Sequence, residues 1–139
     1  GRDIDWSRTS GDYARHRLGY PPRFYEVAAA LGIGLAGQRV LDLGTGTGEL
    51  ARNLASRGAI VTGVDVAPGQ IEAARALSRG LDPAPEFRVC AAEAIDFPDD
   101  TFDVITAGQA WLYFDAEALL PKVRRQLRPD GLIALTHLS

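Results

Sequence analysis

The stretch Val40-Leu41-Asp42-Leu43-Gly44-Thr45-Gly46-Thr47-Gly48-Glu49-Leu50, followed by Val61-Thr62-Gly63-Val64-Asp65, decides the fold. It reads as a buried strand, a turn with three glycines, a helix, and a second strand ending in an acid. Glycine permits positive φ and removes the Cβ that keeps a ligand away from the backbone. The helix behind such a turn presents unpaired N–H groups and the positive end of its dipole. Asp65 stands 21 residues after Gly44, close to the roughly 20 that place an acid on ribose hydroxyls. Turn, strand-helix context and spaced acid together predict a pocket for a nucleoside-bearing ligand rather than a tight turn alone.

Elements extend on both sides of this unit. Pro21-Pro22 suits the start of a helix, where a missing N–H costs nothing. Phe24, Val27, Ala28 and Leu31 recur at helical spacing up to about Leu35, where Gly32, Gly34 and Gly37 break the pattern. Strands are predicted at Arg39–Leu43, Ala59–Asp65, Glu86–Cys90, Thr101–Thr106 and Leu132–Leu135. Helices are predicted from about Gly48 to Arg57, with Leu50, Ala51 and Leu54 inward, and from Pro68, with Ile71, Ala74 and Leu77 inward. A last helix is capped by Asp115, begins in earnest at Pro121, and buries Leu119, Val123 and Leu127. Pro129-Asp130-Gly131 reads as a turn. The link from Ala91 to Asp100 is too short for a crossover helix. Ten extended residues nevertheless reach roughly 33 Å, against about 14 Å for three strand spacings, so it can cross the sheet with one helical turn at most. Alternating strands and helices predict an α/β, doubly wound, Rossmann-like parallel sheet in three layers, with ligands at the carboxyl ends of the strands.

A chain of 139 residues, 46% hydrophobic and 24% charged, is that of an ordinary single soluble domain. Its net charge of −3 excludes an extended phosphate-tracking surface, so no nucleic-acid partner is expected. The basic cluster Lys122, Arg124, Arg125 and Arg128 reads as a solvated helix face near a helix carboxyl end. One cysteine, Cys90, rules out an intramolecular disulfide and reads as a small buried hydrophobe. No apolar run nears the ~20 residues of a bilayer span, and no leader pattern is present. A cytoplasmic protein without a membrane partner is the expectation.

Glycine spacing discriminates between cofactors. A dinucleotide turn places Gly at the first, third and sixth positions. Here they fall at first, third and fifth, and the sixth is Glu49. A nucleoside with a small charged tail fits better than a pyrophosphate. The segment resembles the first motif of class I S-adenosylmethionine-dependent methyltransferases, an acid-x-Gly-x-Gly-x-Gly pattern met by Asp42, Gly44, Gly46 and Gly48. Val64-Asp65 with Pro68 is similar to that family's ribose-binding strand end. Ala92-Glu93-Ala94 and Phe97-Pro98-Asp99-Asp100-Thr101-Phe102-Asp103 resemble the adenine-side loop and fourth strand of its small-molecule branch. Leu127-Arg128-Pro129-Asp130-Gly131 resembles the turn before the fifth strand. Tyr13-Ala14-Arg15-His16-Arg17 with Gly19-Tyr20-Pro21 is similar to the branch's lead segment.

The resemblance implies S-adenosyl-L-methionine as cofactor, a small-molecule methyl acceptor, and an N-terminal lid over residues 1–21 on a core over residues 22–139. It implies a cofactor site of Asp42, Gly44, Thr45, Gly46, Gly48, Asp65, Val66, Ala92, Glu93 and Gln109. Glu93 either reads the adenine amino group or is a solvated surface acid. The chain departs from the pattern in two places. Leu112 stands where the branch often carries a histidine, and the last predicted strand is the fifth of the usual seven. A fragment of a longer enzyme, or a homodimer through the exposed apolar edge Leu132–Leu135, is therefore expected.

Methyl transfer from a sulfonium needs alignment and water exclusion more than a catalytic group. His16 and His137 are the candidates for a base, and no catalytic residue is otherwise assigned. Trp111, Tyr113 and Phe114 either line an acceptor pocket or attract the sulfonium through their ring faces, or else pack the lid. Two other functions stay open: an NAD(P)-binding oxidoreductase, opposed by Glu49 and by the lack of a Tyr–Lys pair, and a non-catalytic binding or assembly module.

Overall fold

The computed structural model describes residues 20–107 and 114–135. Helix α1 (Pro22–Ala30) leads into β1 (Arg39–Leu43), α2 (Glu49–Ser56), β2 (Ile60–Asp65), α3 (Pro68–Leu77) and β3 (Glu86–Val89). A single 3-10 turn at Ala92–Ala94 interrupts the link to β4 (Phe102–Ala107), and α4 (Ala116–Gln126) runs directly into β5 (Leu127–Leu135). The five strands pair in the order β3-β2-β1-β4-β5, all parallel. The predicted doubly wound sheet is therefore present, and the short link does cross from one edge past β2 and β1.

Alternation along the strands divides the core between the two faces. Val40, Val61, Phe87 and Val104 pack with Tyr25, Leu50, Ala51, Leu54, Ile71 and Ala74 of α1, α2 and α3. Leu41, Leu43, Val64 and Ile105 face the other way, against Ala92 and Ile95 of the link and Leu119 and Val123 of α4.

Several expectations are corrected. Helix α1 stops at Ala30, because Gly32 takes φ 85° just beyond its end. It buries Tyr25 and Ala28, whereas Val27 and Leu31 are 48% and 66% exposed. Leu77 is also exposed, at the last turn of α3. Helix α4 starts at Ala116, not Pro121: Asp115 caps it by accepting from the N–H groups of Glu117 and Ala118, as its residue type predicts. Leu127 is not in that helix. It begins β5, and Gln126 takes the third buried position of α4. Pro129-Asp130-Gly131 is not a turn between elements but an irregularity inside β5. Phe102 pairs with Leu127 and Val104 already pairs with Leu132.

The crossing link is fastened to α4 by side chains. Gln126 accepts from Phe97 N–H at 3.0 Å and donates to Ile95 O at 3.2 Å. Arg125 donates to Phe97 O and pairs with Asp96 and Asp99. Part of the basic cluster thus holds the loop rather than simply facing solvent, and Arg128 pairs with Asp103. No helix among the described residues is long and apolar enough to cross a membrane.

Candidate cofactor site

Strand order reverses between β1 and β4, and in such sheets the crevice at the strands' carboxyl ends receives the ligand. The glycine turn lies there and is stitched to β2 by its backbone. Thr45 N–H donates to Val64 O, and Gly48 N–H to Thr45 O, each at 2.9 Å. Asp65 accepts from Gly46 N–H on Oδ2 at 2.9 Å and from Ala67 N–H on Oδ1 at 3.0 Å. A carboxylate oxygen accepts more than one hydrogen bond, so capacity remains on both for ligand hydroxyls.

The turn's glycines have different tasks. Gly46 has φ 59°, and a Cβ there would meet nothing within 4 Å. That is open space in which a ligand can approach the chain. Gly48 has φ 82°, and a Cβ there would lie 2.7 Å from the Phe87 ring. Gly48 is buried beneath the turn, and packing of α2 against β3 requires it.

Beneath the turn runs a row of registered residues: Phe87 on β3, Gly63 on β2, Asp42 on β1 and Thr106 on β4. Asp42 is 4% exposed. Its Oδ2 accepts from the Thr45 hydroxyl and its Oδ1 from the Thr106 hydroxyl, both at 2.7 Å. Burial pushes the Asp42 carboxyl up from 3.8 to about 6, against the lowering effect of the Thr106 and Thr45 hydroxyls, while the Asp65 charge raises it further. Asp42 therefore shapes the turn from below. Thr45, also a candidate, is buried as its partner.

Sequence reasoning missed Gly63 and Thr106. A Cβ on Gly63 would lie 2.6 Å from the Thr45 hydroxyl oxygen, so the absent side chain makes room for the Thr45–Asp42 bond. A glycine inside a strand was the available signal. Nothing in sequence pointed to Thr106, which becomes Asp42's partner only through β1–β4 pairing.

A cavity of about 290 Å³ opens beside the turn. Five candidates meet there: Gly44, Asp65, Val66, Ala92 and Glu93. Cys90 and Phe114 complete its lining. Cys90 packs against the core as the small hydrophobe expected, but it is only half-buried. Its N–H extends the ladder to Asp65 O, placing the thiol at the cavity wall. Glu93 is partly exposed and has a backbone partner. Its Oε2 accepts from Asp115 N–H at 2.9 Å. Gln109, His16, His137, Trp111 and Tyr113 lie outside the described residues.

A donor set of an acid at the β2 end, an open-faced glycine and a small apolar cavity fits the ribose and base of a nucleoside. The family model described as a methyltransferase domain matches residues 41–135. An uncharacterized methyltransferase of Mycobacterium tuberculosis is 36% identical over 136 residues, covering 96% of this chain and 53% of that protein. The demethylmenaquinone methyltransferase of Thermus thermophilus is 39% identical, over 97% of this chain and 54% of that protein. Among solved structures, an S-adenosylmethionine-dependent methyltransferase from Mesorhizobium loti superposes with a TM-score of 0.69 at 27% identity, over 79% of this chain and 51% of that one. The chain spans about half the length of the curated relatives it matches. On this sheet, this glycine turn and these relatives, the chain belongs to the class I S-adenosylmethionine-dependent methyltransferase family.

Proposed function

We propose that this chain binds S-adenosyl-L-methionine at the carboxyl ends of β1, β2 and β3, and that the whole protein transfers its methyl group to a small-molecule acceptor. The observation that carries the reading is the Asp65 carboxylate, held by Gly46 and Ala67 N–H groups at the rim of the cavity. Asp65 would take the ribose hydroxyls. Gly44 and Gly46 would lie along the amino-acid tail, and Ala92 and Phe114 would border the base. When bound, the cofactor supplies a methyl group already activated on a sulfonium. The chain's own work is to fix the ribose, admit the tail over Gly46 and exclude water from the base, which is alignment rather than bond chemistry. Asp42, held just under the turn, adds negative potential beneath a cationic ligand.

The acceptor class rests on the resemblance and on relatives named demethylmenaquinone methyltransferase and ubiquinone biosynthesis O-methyltransferase. The lid assigned to residues 1–21, the roles of Gln109, His16 and His137, and a cytoplasmic location rest on the sequence alone. The relatives give the nicotinamide reading no support. We also infer association of two copies through β5, whose Leu132, Ile133 and Leu135 are 42%, 43% and 55% exposed. Sedimentation as a monomer at every concentration would refute it.

Calorimetry with S-adenosylhomocysteine, S-adenosylmethionine and NAD in parallel tests the cofactor. Binding of the first two without NAD is expected. Binding of NAD alone overturns the assignment, and binding of none favours an assembly module.

A further inference from the structure

The two walls of the cavity come from distant parts of the chain. Ala92 and Glu93 follow β3, while Phe114 precedes α4. In the sheet, β3 and β4 are separated by β2 and β1, so no strand pairing holds these walls together. Phe114 packs against the apolar cluster that holds Ala92, and a hydrogen bond ties the walls directly: the N–H of Asp115, next to Phe114, donates to Glu93 Oε2 at 2.9 Å. Asp115 is itself the cap of α4. Its Oδ1 accepts from Glu117 and Ala118 N–H groups, and its carbonyl accepts from Leu119 N–H at 2.9 Å.

We propose that Glu93 is a positioning residue. Through Asp115 it fixes the start of α4, and with it the Phe114 wall, against the turn that borders the base. The inference rests on reading the cavity as the cofactor site. The chemistry suits the task. A carboxylate accepting from a backbone N–H makes a charge-assisted bond, and it sits at a helix amino end, where negative charge is favoured. The 3-10 turn carrying Glu93 packs on the buried side through Ala92, which is 4% exposed, so the tether is anchored in the core. A group that only read the adenine amino function would have no reason to hold Asp115.

Two ligands separate these roles: S-adenosylhomocysteine, and S-inosylhomocysteine, which lacks the amino group. For Glu93→Ala, positioning predicts that both affinities fall by the same factor, about five- to tenfold, equivalent to ~1 kcal/mol or slightly more. Glu93→Gln keeps an acceptor oxygen and should recover most of the loss. Weakening of the adenosyl ligand alone, or of neither, overturns the proposal. Amide hydrogen exchange without any ligand supplies a second readout. Glu93→Ala should speed exchange at Asp115 while leaving Ile105, in the centre of β4, unchanged. If the wild-type chain binds neither ligand, the cavity reading fails. The exchange result still decides whether the tether exists, and unchanged exchange at Asp115 rejects it.

Discussion

The backbone N–H of Gly46 donates to Asp65 Oδ2 at 2.9 Å, so the acid at the end of β2 is already tied to the glycine turn of β1 before any ligand is considered. Asp65 therefore has two tasks, bracing the turn and facing the cavity. Substituting it removes both. We expect Asp65→Ala to weaken S-adenosylhomocysteine binding by about 100-fold or more, the sum of two lost charge-assisted bonds. Unchanged affinity in a calorimetric titration would dismiss the ribose role.

Gly63 should tolerate no side chain. Its Cβ would lie 2.6 Å from the Thr45 hydroxyl and 2.9 Å from the Phe87 ring. Gly63→Ala is expected to cost about 1 to 3 kcal/mol by overpacking and to weaken cofactor binding by shifting Thr45. Gly69, inside α3, is the control: its Cβ would meet nothing within 4 Å. Gly69→Ala should stabilise by roughly 0.5 to 1 kcal/mol through helix propensity. Urea denaturation of both variants checks the pair, and equal effects would discredit the steric account.

Asp42 makes stability depend on pH. Burial raises its folded-state value to about 6 from 3.8. The folded state thus holds this proton more tightly than the unfolded state. Its contribution to stability falls as pH rises through the window from 3.8 to about 6, and the full cost is present above it. Asp42→Asn abolishes this titration and should stabilise the chain above the window by on the order of 2 to 3 kcal/mol. The same variant should bind the cationic cofactor less tightly. Denaturation curves across the window for both proteins decide the matter; identical pH slopes would contradict the assignment.

Tyr25 is 3% exposed and its hydroxyl has no hydrogen-bond partner among the described residues. Burial, then the nearby Glu49 charge, raise its ionisation above the ordinary range, against the opposing Arg57. Its ring meanwhile carries the Arg57 guanidinium at 4.3 Å from the centroid. Tyr25→Phe keeps the ring and removes the orphaned hydroxyl, so a gain of about 1 kcal/mol is expected. A thermal melt showing clear destabilisation would reveal a partner for that oxygen.

Gln126 should behave in the opposite sense. It is fully buried and pairs with Phe97 N–H and Ile95 O. Gln126→Leu fills the space but strands both backbone groups, and a loss of about 2 to 4 kcal/mol is expected. The link should then exchange its Phe97 amide faster; protection at wild-type level would show that the side chain is dispensable.

The sequence by itself determined the alternation of elements, the parallel sheet and the glycine turn with its acid, because these depend on local periodicity and short spacings. Leu50, Ala51 and Leu54 face inward as their spacing requires, and Asp115 caps α4 as its chemistry requires. Local pattern failed where a neighbour distant in sequence decides. Leu31 and Leu77 have the right residue type but stay 66% and 54% exposed. Gln126 looks like a surface residue until the β3–β4 link arrives to use its amide. Only the tertiary structure placed Phe87, Gly63, Asp42 and Thr106 in one row, since strand register is set by the whole sheet. It likewise separated Gly46, beside open space, from Gly48, closed against Phe87. Gly46 and Gly48 look alike in sequence but differ in what their missing side chains would meet, and that is a property of packing alone.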